Sequence, residues 1–191
     1  MTELNPFTFD VESWLTDAAL PEESATVYKR ADVVSELSDL KRRIDIETRS
    51  TDPEQSSASK RPATLEREYE ELLHTFSESA LTVYVRALTD DELKAVREEF
   101  EAGPGKDLTG GAHSLELGYW GIARSIVAVK PAGGTRQPVT MTPESVKAMK
   151  DAIGSAQMSK IVVARKRAQD GLPQVDADFL RKRSGTETGA E

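Results

Sequence analysis

The side chains able to do chemistry are thinly spread along this chain. Its two histidines, His74 and His113, are far apart, and neither stands at metal-ligand spacing from other His, Asp or Glu residues. His74 follows an apolar stripe at helical spacing and reads as a surface or boundary residue. There is no cysteine, so neither a disulfide framework nor thiol chemistry is available. Glycine-rich runs stand at 103–111 and 133–134, and Gly103-Pro104-Gly105-Lys106 has a superficial likeness to a phosphate loop. A working phosphate loop needs a strand before it, GxxxxGK[ST] spacing and a helix whose N-terminal amides face the phosphate. The order here is wrong. No serine occupies a nucleophile elbow. Acidic residues number 33, so neighbouring carboxylates follow from composition and single out no acid–base pair. The residues therefore point to no catalytic centre, no metal and no cofactor, and an enzyme is the least favoured class.

Charge and composition narrow the field further. Only 38% of the 191 residues are apolar and 30% are charged, with a net charge of −8. The apolar share is below the roughly 45–50% of a typical globular chain, which implies that part of the chain is unpacked or packs on a partner. One domain of about 100–150 residues plus a linker or tail fits this length. The acidic balance disfavours general nucleic-acid binding. Residues 1–10 carry no basic and apolar leader pattern, so no signal peptide is expected. The longest apolar stretch, Leu115 to Val129, is interrupted by Glu116, Gly118, Gly121 and Arg124, which excludes a membrane span there. From Met158 onward the balance turns mildly basic, with seven Lys/Arg against five acids. A basic C-terminal third on an acidic body could steer towards an acidic partner.

The elements are organised by a segment that occurs twice. Residues 26–44 read TVYKRADVVSELSDLKRRI and residues 82–100 read TVYVRALTDDELKAVREEF, with 7 identities in 19 positions. Each copy opens on an alternating, β-type TVYxR run and passes into a charged amphipathic helix. In the first helix Val33, Leu37, Leu40 and Ile44 share one stripe. Residues 48–62, rich in Ser, Thr and Pro, read as a flexible linker. A second helix carries Leu65, Tyr69, Leu72 and Phe76 at the same 4, 3, 4 spacing. The two helices, 32–47 and 64–79, bury both stripes most simply as an antiparallel hairpin. That brings the strands at 26–30 and 81–86 side by side, and we expect Val27 to Arg30 to pair antiparallel with Thr82 to Arg86, with Tyr28 and Tyr84 as cross-strand neighbours. A two-stranded ladder is marginal and needs a helix on one face; the short helix Val11 to Ala19, with Trp14 as core anchor, is the candidate. Thr89-Asp90-Asp91-Glu92 is a capping box opening the next helix.

Residues 1–102 thus read as an N-terminal unit, and residues 112–170 as a C-terminal helical group. Ser114 to Val129 is expected as its most buried helix, with Gly118 and Gly121 marking a close helix approach or a kink. Thr142-Pro143 opens another helix as N-cap and N1. Gly154 ends it, and a last helix carries Met158, Ile161 and Val162. Residues 171–191 read as a mobile tail with one apolar patch, Phe179-Leu180. The fold class expected is mainly α, with a small two-stranded antiparallel β element.

With these residues in place, the chain resembles the tail assembly chaperones of long-tailed, siphovirus-type phages that infect actinobacteria. The likeness runs through TVYxR, the paired charged helices and their linker, LTVYVRALTDDEL, SIVAVKP, MTPESVKAMKDAIG and DFLRKRSG, over roughly residues 9–185. The resemblance implies a non-enzymatic protein that binds the tape measure protein, keeps its long hydrophobic helices soluble and helps recruit tail tube protein. It implies action in the host cytoplasm, absence from the finished particle and, often in this family, a longer frameshifted product. A homo-oligomer is compatible with it, and neither nucleic acid nor membrane is an expected partner. A chaperone for helical clients needs exposed apolar surface on a charged body. The expected client-binding residues are Phe179, Leu180, Ile161 and Met158, whose apolar side chains are hardest to bury internally. The competing reading is a structural virion protein, such as a head–tail connector or tail completion component. A small regulatory or nucleic-acid-binding protein comes third.

Overall fold

The computed structural model describes residues 10–16, 18–50 and 60–171. The chain is mainly helical with a small antiparallel sheet. Its centre is the pairing of β1 (Glu22–Tyr28) with β2 (Ala80–Arg86). The two TVY runs pair antiparallel, as their sequence predicts, at the base of a helical hairpin. The register places the equivalent residues Thr26 and Thr82 directly opposite one another, and their hydroxyls are hydrogen bonded at 3.1 Å. Tyr28 therefore faces Ala80, and Tyr84 faces Ser24. The tyrosines are not cross-strand neighbours, and Arg30 lies past the end of the strand. Side chains alternate as a pleat requires: Ala25, Val27, Val83 and Val85 are buried in the core, while Thr26, Tyr28, Thr82 and Tyr84 point to the other face.

The hairpin consists of α2 (Val34–Ser50), entered through a 3-10 turn at Ala31–Val33, and α3 (Lys60–Glu78). Leu37, Leu40 and Leu65 are buried between them, and Phe76 stacks on Tyr28 with ring centroids 4.2 Å apart. Both helices reach into the stretch expected as linker: 48–50 and 60–62 are helical, and 51–59 lie outside the described residues.

Two expectations need correction. The sheet has four strands in the order β1-β2-β3-β4, not two. The helix expected through Val129 ends earlier: α5 (Gly110–Ser125) passes directly into β3 (Ile126–Pro131), which pairs with β2, and β4 (Gln137–Pro138) closes that side. Ile126-Val127-Ala128-Val129 is a short apolar run that satisfies helical and strand patterns alike. What decides it is the second edge of β2, whose backbone groups need partners. The stretch expected as a separate helical group thus donates two strands to the sheet.

The cover on the ladder also differs. The short helix α1 (Val11–Thr16) leaves Val11 and Leu15 exposed, and the expected Trp14 anchor falls on a side chain outside the described residues. The inner face is covered instead by α7 (Ser155–Asp170), with α5 and α6 (Pro143–Ile153) beside it. Ile161, Met158 and Ala164 of α7 meet Ala25, Val27, Val83 and Val85, together with Tyr119, Ile122 and Val146.

Helix α4 (Asp90–Ala102) begins at the capping box predicted from sequence: the Glu92 amide donates to Thr89 Oγ1 (3.2 Å) and the Thr89 amide to Glu92 Oε2 (3.0 Å). The same carboxylate takes a bidentate bond from Arg86 at the end of β2. The Arg86 hydrogen bonds, helped by the Thr89 amide, hold Glu92 down at about 2. A depressed acid stabilises the fold above its ordinary range and loses that contribution as pH falls through its folded value. Both side chains remain nearly a third exposed, which trims the gain. We expect Glu92→Gln to cost about 1–2 kcal/mol at pH 7 and most of the gap to wild type to have closed at pH 2, read from urea unfolding at both pH values.

Candidate interaction surface

His113 and Gly105, two of the residues singled out by the sequence, serve packing. His113 Nε2 lies 2.7 Å from Glu101 Oε1, and its ring stands edge-on to Phe100 at 5.0 Å, tying α5 to α4. His74 is exposed beside Glu78. Gly105, the centre of the phosphate-loop likeness, is buried in a 3-10 turn (Pro104–Asp107) where a Cβ would come within 2.6 Å of the Phe100 ring. It is a glycine because of that ring. Among the described residues no three His, Asp or Glu side chains are grouped to hold a metal, and no helix is long and apolar enough to cross a membrane.

The expected client-binding residues fall in two places. Phe179 and Leu180 lie outside the described residues. Met158 and Ile161 are buried, at 4% and 0% exposure, because the β1–β2 inner face supplies the cover that the sequence did not reveal. In this fold they are core and not surface.

What sets the register of α7 on the sheet is polar, and sequence reading missed it. Gln157 Oε1 accepts the Tyr28 amide at 2.7 Å, and its Nε2 donates to the Tyr28 carbonyl at 2.7 Å. Gln169 repeats the arrangement on Leu88, at 3.0 and 3.1 Å. A side-chain amide carries one acceptor and a donor group, so it imitates a neighbouring peptide unit. The two clips stand 12 residues apart, about 18 Å along the helix axis, and pin both ends of α7. Between them Arg165 Nε donates to Ser125 Oγ (2.9 Å), which donates to the Gly121 carbonyl (2.6 Å). The guanidinium lies so close to α5 that a Cβ on Gly121 would be 2.8 Å from Nη2. The close approach read from Gly121 is real, whereas Gly118 faces open space. Burial lowers the Arg165 guanidinium from its ordinary value.

With its inner side committed, α7 offers an outer side of different character. Val162 and Val163 are 45% and 47% exposed, and Lys160, Lys166 and Arg167 are exposed around them. Beside this surface runs the free edge of the sheet, since β1 is a terminal strand. The Ala87 amide donates to the Pro21 carbonyl and the Lys29 amide to the Ser79 carbonyl, so odd-numbered residues of β1 bond towards β2. Even-numbered residues bond outward, as the Gln157 clip on Tyr28 shows. An open groove of about 360 Å³ lies between this edge and α7, lined by Ser24, Thr26, Lys160, Val163 and Arg167 among others.

No family model, curated protein or solved structure matches this chain. The surface must therefore be read from its own chemistry: an aliphatic pair, unpaired strand edge and a basic helix on an acidic body. Each of these groups offers contact surface.

The two sides of α7 should respond differently to truncation. Ile161→Ala is expected to cost about 2–5 kcal/mol, and Val163→Ala to stay within about 0.5 kcal/mol of wild type, by urea denaturation. Gln157→Ala should leave the Tyr28 amide unprotected and speed its hydrogen exchange.

Proposed function

We propose that this chain is a non-enzymatic assembly chaperone of a long-tailed phage, binding the tape measure protein and aiding tail tube assembly in the host cytoplasm before the particle is complete. The observation that carries the reading is the outer side of α7. Val162 and Val163 stand exposed on it, and the chain runs on from this helix into the segment with Phe179 and Leu180. The resemblance of TVYxR, SIVAVKP, MTPESVKAMKDAIG and DFLRKRSG to the chaperone family supports it. Fully burying one exposed aliphatic or aromatic side chain is worth about 1.5–3 kcal/mol; the valines, already half covered, gain less, and the cost of association leaves a weak, transient capture. The charged surface around them keeps the free chaperone from self-association.

Co-expression with the tape measure protein that this reading expects to be encoded just downstream tests this. Affinity capture is expected from the full chain, and loss of most of it from the double variant Val162→Asp, Val163→Asp and from a chain lacking 172–191. Undiminished capture by both variants would exclude this surface. Stoichiometric presence of the protein in purified particles would favour a structural virion component instead.

A further inference from the structure

We infer that the free edge of β1, at Ser24 to Thr26, accepts an extended acidic peptide segment of a partner as an added strand. The inference goes beyond the chaperone reading and does not depend on it: the groove shares Val163 with that surface, but the inference concerns the strand edge and a strand-forming ligand.

Four observations converge on this edge. The first is unspent hydrogen-bonding capacity. By the alternation established from Pro21, Tyr28 and Lys29, the amide and carbonyl groups of Ser24 and Thr26 point outward. Among the described residues none of these four groups has a partner across the edge. A strand laid here gains up to four main-chain bonds.

The second is how the edge is managed. Natural edges are blunted by proline, by lysine on the strand or by a covering element. Gln157 does this for Tyr28 alone. Glu22 and Glu23 charge the start of the strand, whereas Ser24 to Thr26 has no proline, charged side chain or bulge. The edge is closed at one end and left open over the length of a short added strand.

The third is the wall facing that edge. Lys160, Val163 and Arg167 line the groove in the order cation, aliphatic, cation. Residues 160 and 167 are seven positions apart, about 10.5 Å along α7. In an added strand every second side chain would face this wall, about 6.7 Å apart. A segment of the form acid-x-aliphatic-x-acid spans about 13 Å, and the long Lys and Arg stems take up the difference. Its aliphatic residue meets Val163 and its acids meet the cations.

The fourth is charge complementarity. The chain carries −8 overall, and several cations that stand beside its sheet and its packed helices meet carboxylates: Arg86 with Glu92, Arg136 with Glu22, Lys147 with Glu116 and Arg124 with Glu99. Among the described residues Lys160 and Arg167 are in no ion pair; Lys160 instead sits 5.7 Å over the Tyr28 ring. Among the described residues, two cations without counter-ions flank an edge that has no strand beside it. A basic or purely apolar segment would leave both uncompensated.

The test uses the full chain and the peptide acetyl-TDTVTDT-amide, with acetyl-TKTVTKT-amide as control, followed by amide NMR shifts. Saturable binding is expected, centred on Ser24 and Thr26 with their exchange slowed, and at least tenfold weaker for the lysine peptide. Ser24→Pro removes one outward amide at a place where an edge strand tolerates proline, and should weaken binding at least tenfold with melting temperature unchanged. Lys160→Glu, Arg167→Glu does so without touching the strand. Equal binding of the two peptides, or no loss in the charge-reversed chain, overturns the inference. So does a chain lacking 172–191 that binds at least tenfold tighter, which would make the chain's own C-terminal segment the occupant. A dimer that Ser24→Pro converts to monomer would make it a second copy, with the same consequence.

Discussion

The structure depends on the seat of α7 against the inner face of the β1–β2 ladder. Two strands alone are marginally stable in water, because one ladder of hydrogen bonds does not offset the entropy of ordering them. Here the ladder gains a third strand on one side and a helix on one face. Val27, Val83 and Val85 are sealed by Ile161, Met158 and Ala164. Apolar contact of this kind is non-directional and would tolerate sliding. The two glutamine clips remove that freedom, since each demands the amide and the carbonyl of one chosen residue. Burial supplies the attraction, and the amides supply the register.

The doubled TVYxR run acquires a geometric meaning in this arrangement. Because Thr26 pairs with Thr82, a local pseudo-twofold axis passes between them, and each strand leaves the ladder at the opposite end from the other. One copy feeds α2 and the other α4. Their tyrosines then meet different partners: Tyr28 stacks on Phe76, while Tyr84 lies under the Arg136 guanidinium at 4.4 Å. The arginines diverge similarly, Arg30 pairing with Asp32 in its own turn and Arg86 reaching the capping box of α4. The repeat is conserved where the strands touch and departs where the surroundings differ.

Charge distribution separates what holds the molecule together from what it shows to others. Most ion pairs here are exposed and contribute little to stability; Arg86–Glu92 is the better-covered exception. The cations on the outer side of α7 are therefore not explained by the fold's own stability. They give the acidic body one basic side, next to exposed valines and an open strand edge, where a partner can be steered and then held.

Much of this was legible in the sequence alone. The capping box at Thr89–Glu92, the N-cap at Thr142 with Pro143, the hairpin stripes and the antiparallel meeting of the TVY runs all follow from local chemistry: neighbours three or four residues apart on a helix, or the shortest connection between two matched helices. Elements decided by remote partners were not legible. Ile126–Val129 reads equally well as helix or strand until β2 offers it an edge. Met158 and Ile161 looked like surplus apolar surface because the valines that cover them lie far upstream in the chain, and no periodicity records a contact across that distance. Gln157 and Gln169 look like ordinary polar helix residues until the ladder presents Tyr28 and Leu88 to them. Sequence by itself determined most of the helices, the two TVY strands and how several elements begin. Tertiary structure decided which apolar stripe became core and which stayed in water, because burial is a property of the pair of surfaces and not of either one.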